Sequence, residues 1–138
     1  MKPDYKAIER SIEERNLEFL QKSPHPEGHD RSLVYLAEKA LLKAVRDGDI
    51  NYQPTLQRSM LLSTGTPVSG GDPLRQEKTS VTVFTTLVSR AAMEGGLSPE
   101  IAYPLGDSYI QAAEHCRDHG EISAIAAAMY HDFIYRVH

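Results

Sequence analysis

The sequence lacks the features that mark secreted and membrane-spanning proteins. Cys116 is the only cysteine in 138 residues, so no disulfide can form within the chain and a reducing compartment is compatible. No apolar run approaches the ~20 residues that a helix needs to cross a bilayer. The charged N-terminus also lacks the apolar segment of a signal peptide. We therefore predict a cytoplasmic protein with no membrane partner.

An excess of positive charge is missing as well. The formal net charge is −4, whereas sequence-independent binding to nucleic acid requires many lysines and arginines to neutralise phosphates. No nucleophile motif and no pair of carboxylates suited to acid–base catalysis stands out. The glycines at 70–71 and 95–96 do not follow a strand, as a phosphate-binding loop would. We therefore predict that the chain is not an enzyme and holds no cofactor.

The composition is that of an ordinary soluble domain, with 41% apolar and 25% charged residues. A chain of this length can bury about two thirds of its unfolded surface. We predict one domain over residues 1–138 with an all-α fold, an antiparallel bundle of about six helices built from stacked helical hairpins. Because the last helical pattern stops without a capping glycine, we expect the chain to be part of a longer protein.

Residues 72–111 carry the clearest helix signals. Asp72 is suited to cap a helix and Pro73 to occupy its first position, while Gly95 and Gly96 are suited to end it. Ser98 then predicts a second helix, so the two would form a hairpin. The apolar residues of the first helix recur at helical spacing: Val81, Phe84, Leu87, Val88, Ala91 and Ala92.

Two features of this hairpin argue against a pair of continuous helices. Thr79–Val88 is rich in β-branched residues, which favour a strand, but a strand would not separate its apolar residues from its polar ones. Pro104 lies inside the second helix and would remove a hydrogen bond. We therefore predict one helical piece over 98–103 and another from Leu105 to about Arg117, ended by His119 and Gly120.

Four further helices are predicted from the spacing of apolar residues and from residues that typically begin or end helices. They are predicted over residues 3–20, from Asp30 to Gly48, over 54–62 with Leu56, Met60 and Leu61 inward, and over 121–138. Residues 22–28 and 63–71 are predicted to be loops. The stripe of the second helix is Leu33, Leu36, Ala37, Ala40, Leu41, Ala44 and Val45, and that of the last is Ile122, Ile125, Ala126, Met129, Phe133 and Val137.

Two histidine-containing groups are candidate metal ligands. His25, His29 and Asp30 have a ligand-like spacing, but Pro26 and Gly28 argue for a loop. A second group, His115, Cys116 and His119, would lie at a helix end with both histidines on one face. Because no fourth ligand is evident, we prefer a structural role for both groups and predict no metal.

Charged residues on the hairpin are the candidate effector-binding or partner-docking site. Arg90 and Glu94 are four residues apart and could form an ion pair. Two cations in the first turns of the first helix are unfavourable unless an acidic group such as Asp107 or Glu100, or an anionic ligand, offsets them. A structural ion-pair network is the alternative interpretation. The candidate residues are Arg75, Lys78, Arg90, Glu94, Asp107 and Tyr109.

The string from Pro73 to Gln111, PLRQEKTSVTVFTTLVSRAAMEGGLSPEIAYPLGDSYIQ, resembles the region ahead of the DNA-binding domain in AraC-type transcriptional regulators of Firmicutes. Looser similarity extends to His29-Asp30, to residues 46–49 and to residues 130–138. Pro104 and Gly106 depart from the serines that are usual there, and Asp72 replaces an asparagine. The family's DNA-contacting residues have no counterpart in this chain.

The resemblance implies an N-terminal regulatory domain that senses a small-molecule effector or dimerises, and so controls an attached helix-turn-helix domain that would follow residue 138. DNA would be contacted only through that domain. The Pro104 break and the final helix would then be the parts that change between states. The alternatives are a helical protein-interaction scaffold without a ligand and a small helical metal-binding protein.

Overall fold

The computed structural model describes residues 2–22, 31–62 and 72–138, and within them all regular structure is helical. This confirms the predicted all-α fold. Across those ranges no helix is long and apolar enough to cross a membrane. The helices are α1 (Tyr5–Lys22), α2 (Arg31–Asp47), α3 (Gln53–Leu62), α4 (Pro73–Glu94), α5 (Pro99–Glu114) and α6 (His119–Val137).

The start of α4 follows the predicted capping pattern. The Asp72 side chain accepts a hydrogen bond from the backbone N–H of Arg75 at 3.2 Å, and Pro73 occupies the first helical position. The β-branched run at 79–88 is helical throughout. Its helical spacing places Val81, Thr85 and Val88 in the interior, so tertiary burial outweighs the local preference for a strand.

The predicted break at Pro104 is wrong, because α5 is one continuous helix from Pro99 to Glu114. Pro104 lies near the start of α5 and is exposed, so the Glu100 carbonyl that it deprives of a partner can bind water. The opposite face of the helix is fixed by complete burial of Ala102 and burial of Gly106. Packing on that face holds the helix together across the proline.

The boundary between α5 and α6 also differs from the prediction. His119 and Gly120 begin α6 rather than ending α5. Asp118 caps α6 by accepting from the Glu121 N–H at 2.8 Å. A carboxylate cap at a helix N-terminus is favourable for both hydrogen bonding and the helix dipole, so this aspartate sets the boundary.

The chain divides into two compact units, Met1–Arg31 and Ser32–His138. In the second unit, α4, α5 and α6 all pack on one another, and the C-terminal half of α2 joins them through Ala44 and Val45. The main core cluster is Ala44, Val45, Tyr52, Val88, Ala91, Ala92, Leu97, Ala102, Met129, Tyr130, Phe133 and Ile134. A smaller cluster of Val81, Ala113, Cys116 and Ile122 lies towards the other end of α4.

Some predicted apolar stripes are not buried. Leu33 and Leu36 of α2 are exposed, whereas Ala37, Ala44 and Val45 of the same stripe are buried. In the first unit, α1 is a helix as predicted and its large apolar side chains are exposed. The predicted loop at 63–71, most of the one at 22–28, and the side chains of Met60 and Leu61 lie outside the described residues.

Two glycines allow the ends of helices to approach closely. A Cβ built on Gly95, after α4, would lie 2.3 Å from the Arg46 carbonyl oxygen of α2. A Cβ on Gly48, after α2, would lie 2.7 Å from the His138 backbone nitrogen, and Gly48 also has a φ of +61°. The C-terminal ends of α2, α4 and α6 therefore meet at one junction, which we call the C-terminal junction (Arg46, Gly48, Gly95 and His138).

Replacing Gly95 with alanine should destabilise the protein by about 2 kcal/mol or more, because its methyl group would collide with backbone rather than a movable side chain. Gly106→Ala is the matched control. Its Cβ would lie 3.7 Å from Ser89 Cβ, an ordinary contact, and alanine gains up to about 1 kcal/mol over glycine within a helix. Urea denaturation should separate the two variants, and equal midpoints would contradict the close contact.

Thr85 is completely buried, and its hydroxyl has no hydrogen-bond partner among the described residues. Thr85→Val keeps the shape and removes an unsatisfied polar group, so we expect stabilisation of about 1 kcal/mol. Thr86→Val is the control, because the exposed Thr86 hydroxyl donates to the Thr82 carbonyl at 3.0 Å. Thermal melting should rise for the first variant and hold or fall for the second; a lower melting temperature for Thr85→Val would show that its hydroxyl is paired.

Candidate functional site

The six predicted site residues do not form one cluster. The structure distributes them over contacts that join α4 to α2, α4 to α5, and α5 to α6. Arg75 and Asp107 are exposed and form no ion pair with another described residue. Each of the other four contacts a helix other than its own, so their main effect is to hold helices together.

The predicted ion pair between Arg90 and Glu94 is wrong. The Glu94 carboxylate instead accepts from the guanidinium of Arg46, in the last turn of α2, at 3.2 Å. The Arg90 guanidinium lies over the Tyr103 ring of α5, 4.8 Å from the ring centre, where it is attracted to the electrons of the ring. Because each side chain has a partner on another helix, spacing along α4 alone could not identify it.

Lys78 has a backbone partner rather than the expected carboxylate of Glu100 or Asp107. Its ammonium donates to the Glu114 carbonyl oxygen, in the last turn of α5, at 2.8 Å. Carbonyls in the last turn of a helix lack partners within the helix and carry the negative end of its dipole. The lysine therefore satisfies an orphan acceptor while it joins the start of α4 to the end of α5.

Tyr109 takes part in a chain of hydrogen bonds between α5 and α6. Its hydroxyl donates to the Asp132 carboxylate at 2.6 Å, which also accepts from Arg136 at 2.7 Å. Burial, and then the hydrogen bond and charge of Asp132, raise the pKa of Tyr109 to about 12. The protonated phenol is therefore the form that this arrangement holds.

The sequence did not predict the polar contacts that two residues of α6, Tyr130 and His131, make with Leu41 and Tyr52. The Tyr130 hydroxyl donates to the Leu41 carbonyl of α2 at 2.6 Å, and burial raises the pKa of Tyr130 above its usual value. The Tyr52 hydroxyl lies 2.7 Å from Nδ1 of His131, and its ring packs edge-on against Tyr130. Tyr130 lies beside the predicted stripe of α6, and no local signal identifies its partner 89 residues away.

The C-terminal junction was also missed. The sequence identified Gly48 and Gly95 as helix-ending residues, which they are, but not as contact points. Nδ1 of His138 lies 3.1 Å from the Gly48 carbonyl oxygen, so the last residue of the chain is held at the end of α2. Arg46 and Glu94 join the same helix ends by their ion pair. A displacement of α2 relative to α4 would therefore also move the end of α6.

The second histidine group does not share a helical face, because α5 ends at Glu114. Nδ1 of His115 lies 2.8 Å from the Gln111 carbonyl, and the buried Cys116 thiol donates to the Ala112 carbonyl. His119 begins α6 and pairs with Glu77 of α4. Within residues 2–22, 31–62 and 72–138, no three of the His, Cys, Asp and Glu side chains group as metal ligands. His25, His29 and Asp30 lie outside those ranges.

Comparison with known proteins adds no identification. No protein-family model matches the chain, and no curated protein and no solved structure matches it.

Changing Asp132 to asparagine should lower the pKa of Tyr109 from about 12 towards, but not to, the ~10 of a free tyrosine. The carboxylate charge disappears, while burial, the larger cause, persists. NMR titration of the Tyr109 ring carbon would measure the shift, with Asp107→Asn as the control because Asp107 is exposed. A Tyr109 pKa unchanged by Asp132→Asn would contradict the hydrogen bond.

The same shift predicts the alkaline stability of the protein. Because the folded state raises the Tyr109 pKa above its unfolded value of ~10, this group adds stability that is fully present below pH ~10. That stability is lost as the pH rises through about 12. In Tyr109→Phe the fall in unfolding free energy over this interval should be shallower than in the unaltered protein.

Proposed function

We propose that this chain is the N-terminal regulatory region of an AraC-type transcriptional regulator, which controls an attached helix-turn-helix domain by sensing a signal or by pairing. The observation that carries the proposal is the residue string 73–111. It resembles the corresponding region of those regulators and folds as the α4–α5 hairpin, against which α6 and the end of α2 pack. Comparable strings would be expected to build the same hairpin.

The C-terminal junction supplies a physical route for regulation. The end of α6 contacts Gly48, and the turn after α4 contacts Arg46. These contacts hold the end of α6 in place, so they would also set the position of a DNA-binding domain joined after His138. A signal can act only by favouring one arrangement of the helices over another, and here such a change at α2 or α4 would also displace α6.

The scattered positions of the predicted site residues bear on what the domain does. Lys78, Arg90, Glu94 and Tyr109 each join two helices, which agrees with the structural interpretation of the charged cluster. Exposed ion pairs such as Arg46–Glu94 contribute less than about 1 kcal/mol each to stability. A rearrangement of the helices would nevertheless break these contacts and form others. They are therefore better suited to carrying a signal between helices than to recognising an effector.

The proposal is tested first by the reading frame beyond His138. Two helix-turn-helix patterns there are the expected result, and a frame that stops or continues into an unrelated domain would contradict the proposed class.

The transmission step is tested in the intact regulator with Arg46→Gln. The variant removes the exposed ion pair between α2 and α4, so we expect a melting temperature within a few degrees of the original but altered promoter output. Lys43→Gln is the matched control, since it removes an exposed pair with Asp47 inside α2, at 2.6 Å. If both variants leave the output unchanged, the C-terminal junction does not transmit the signal.

A helical interaction scaffold is the second candidate function. It is favoured by one observation, the exposed apolar side chains of α1. A scaffold would pair through such a surface without an effector and without a DNA-binding module in its reading frame.

A further inference from the structure

The first half of α5 is held less firmly than the beginnings of α4 and α6. Asp72 and Asp118 cap those two helices with their side chains, whereas the Ser98 side chain caps no N–H of the described backbone. Pro104 has no N–H to pair with the Glu100 carbonyl, which lies four residues before it. The first turns of α5 therefore lack both a side-chain cap and one of the helical hydrogen bonds.

Little apolar surface anchors these turns to the rest of the second unit. In residues 99–106, which we call the α5 entry segment, Ala102 and Gly106 are buried and Leu105 is half-buried, while the other five residues are exposed. Alanine contributes only a methyl group to the interior, and glycine contributes no side chain. Because hydrophobic stabilisation is proportional to the apolar area removed from water, burial holds this segment weakly.

The surface of α4 that faces this segment contains an unsatisfied polar group. A Cβ built on Gly106 would lie 3.7 Å from Ser89 Cβ and 4.0 Å from Thr85 Cγ2, so both α4 residues line the contact. Thr85 is completely buried, and its hydroxyl has no partner among the described residues. A hydroxyl of this kind regains hydrogen bonds to water when it is exposed. Hydration of Thr85 therefore lowers the free energy needed to separate α5 from α4 at this point.

The second half of α5 is anchored to both neighbouring helices. The Tyr109 hydroxyl donates to the Asp132 carboxylate of α6 at 2.6 Å, and the Lys78 ammonium of α4 donates to the Glu114 carbonyl at 2.8 Å. Ala113, in the same half of the helix, is completely buried. A separation that starts at the beginning of α5 would therefore stop before it reaches Tyr109.

We propose that the α5 entry segment separates from α4 in a local opening, while the second half of α5 and the rest of the core stay folded. Proteins open locally at free energies that range from near zero up to that of global unfolding, and segments with few buried apolar contacts open most readily. The Arg90 guanidinium over the Tyr103 ring also joins this segment to α4, but a contact of this kind is weak where both side chains are exposed.

A signal that favours the open or the closed segment would shift this equilibrium, so the opening gives the proposed regulation a place to act. In that role the inference rests on the proposed function, but the opening itself is measured without DNA. A segment that stays closed in a chain followed by a DNA-binding module would refute the inference alone. An opening segment in a chain without such a module would refute the proposed function alone.

Hydrogen exchange of the 138-residue chain, followed by NMR at single amides, measures the opening. After correction for intrinsic rates, amides of the α5 entry segment should exchange at least ~10-fold faster than those of residues 129–134, in the most buried part of α6. Pro104→Ala supplies the missing N–H and should slow exchange in the segment at least ~10-fold. Pro99→Ala is the matched control, because the first helical position needs no N–H partner within the helix, and it should change the rate by less than ~3-fold.

Thr85→Val tests whether the opening separates α5 from α4. It replaces the unpaired hydroxyl with a methyl group of similar shape, so the closed state gains stability and exchange in the α5 entry segment should slow about 5-fold. Thr86→Val is the control, because Thr86 lies on the exposed side of α4 and should leave the rate in the segment unchanged.

Three results would overturn the inference. Exchange in the α5 entry segment as slow as in residues 129–134 would show that the segment opens only when the whole core unfolds. Equal slowing by Pro99→Ala and Pro104→Ala would show that the missing helical hydrogen bond is not what favours opening. Exchange in the segment that Thr85→Val leaves unchanged would show that α5 does not separate from α4 where Thr85 lies.

Discussion

Burial of one face of α4 against α5 and α6 is the constraint on which the rest of the second unit depends. Val88 and Ala92 are completely buried there, and Ala102 of α5 faces the same interior. These are small side chains, so the helices can approach closely, and Gly106 of α5 lies beside Ser89 and Thr85 of α4. Close approach brings the helix ends within reach of one another. The polar contacts at those ends are therefore consequences of the apolar packing rather than its cause.

At the ends of the helices, polar contacts contribute much less to stability than the apolar packing of the core. Lys78 at the start of α4 and Glu94 at its end both have partners on other elements, yet both are partly exposed to water, which screens ion pairs. Breaking either one costs little. The core fixes which helices are neighbours, while the exposed contacts contribute little to the stability of that arrangement. The regulatory function proposed above would use this division, because the exposed contacts could be exchanged without unfolding the core.

How much of this could be predicted from the sequence depends on the distance over which each feature is determined. The caps at Asp72 and Gly95 depend on residues three or four positions away, and the sequence predicted them. The continuity of α5 through Pro104 depends on burial of the opposite face, which is set by other helices. The partners of Arg90 and Glu94 depend on where α5 and α2 cross α4, so the local spacing gave a wrong pair. The predicted site residues, five charged side chains and Tyr109, were identified by residue type, and residue type alone does not show which helix a side chain will reach.

The C-terminal junction follows from the same reasoning. Glycine after a helix usually reflects the backbone conformation that ends it, and Gly48 with its φ of +61° fits that role. Gly95 has a φ of −81°, which any residue adopts, so backbone conformation does not require glycine there. What requires it is the Arg46 carbonyl, which leaves no room for a side chain.

The need for glycine at position 95 therefore arises from contact between α2 and the α4–α5 turn. That contact joins the hairpin to the end of α2, which His138 also contacts. Any force that separates α2 from the hairpin must act on both contacts at once, so the position of α6 is coupled to the hairpin through backbone packing as well as through the exposed ion pair.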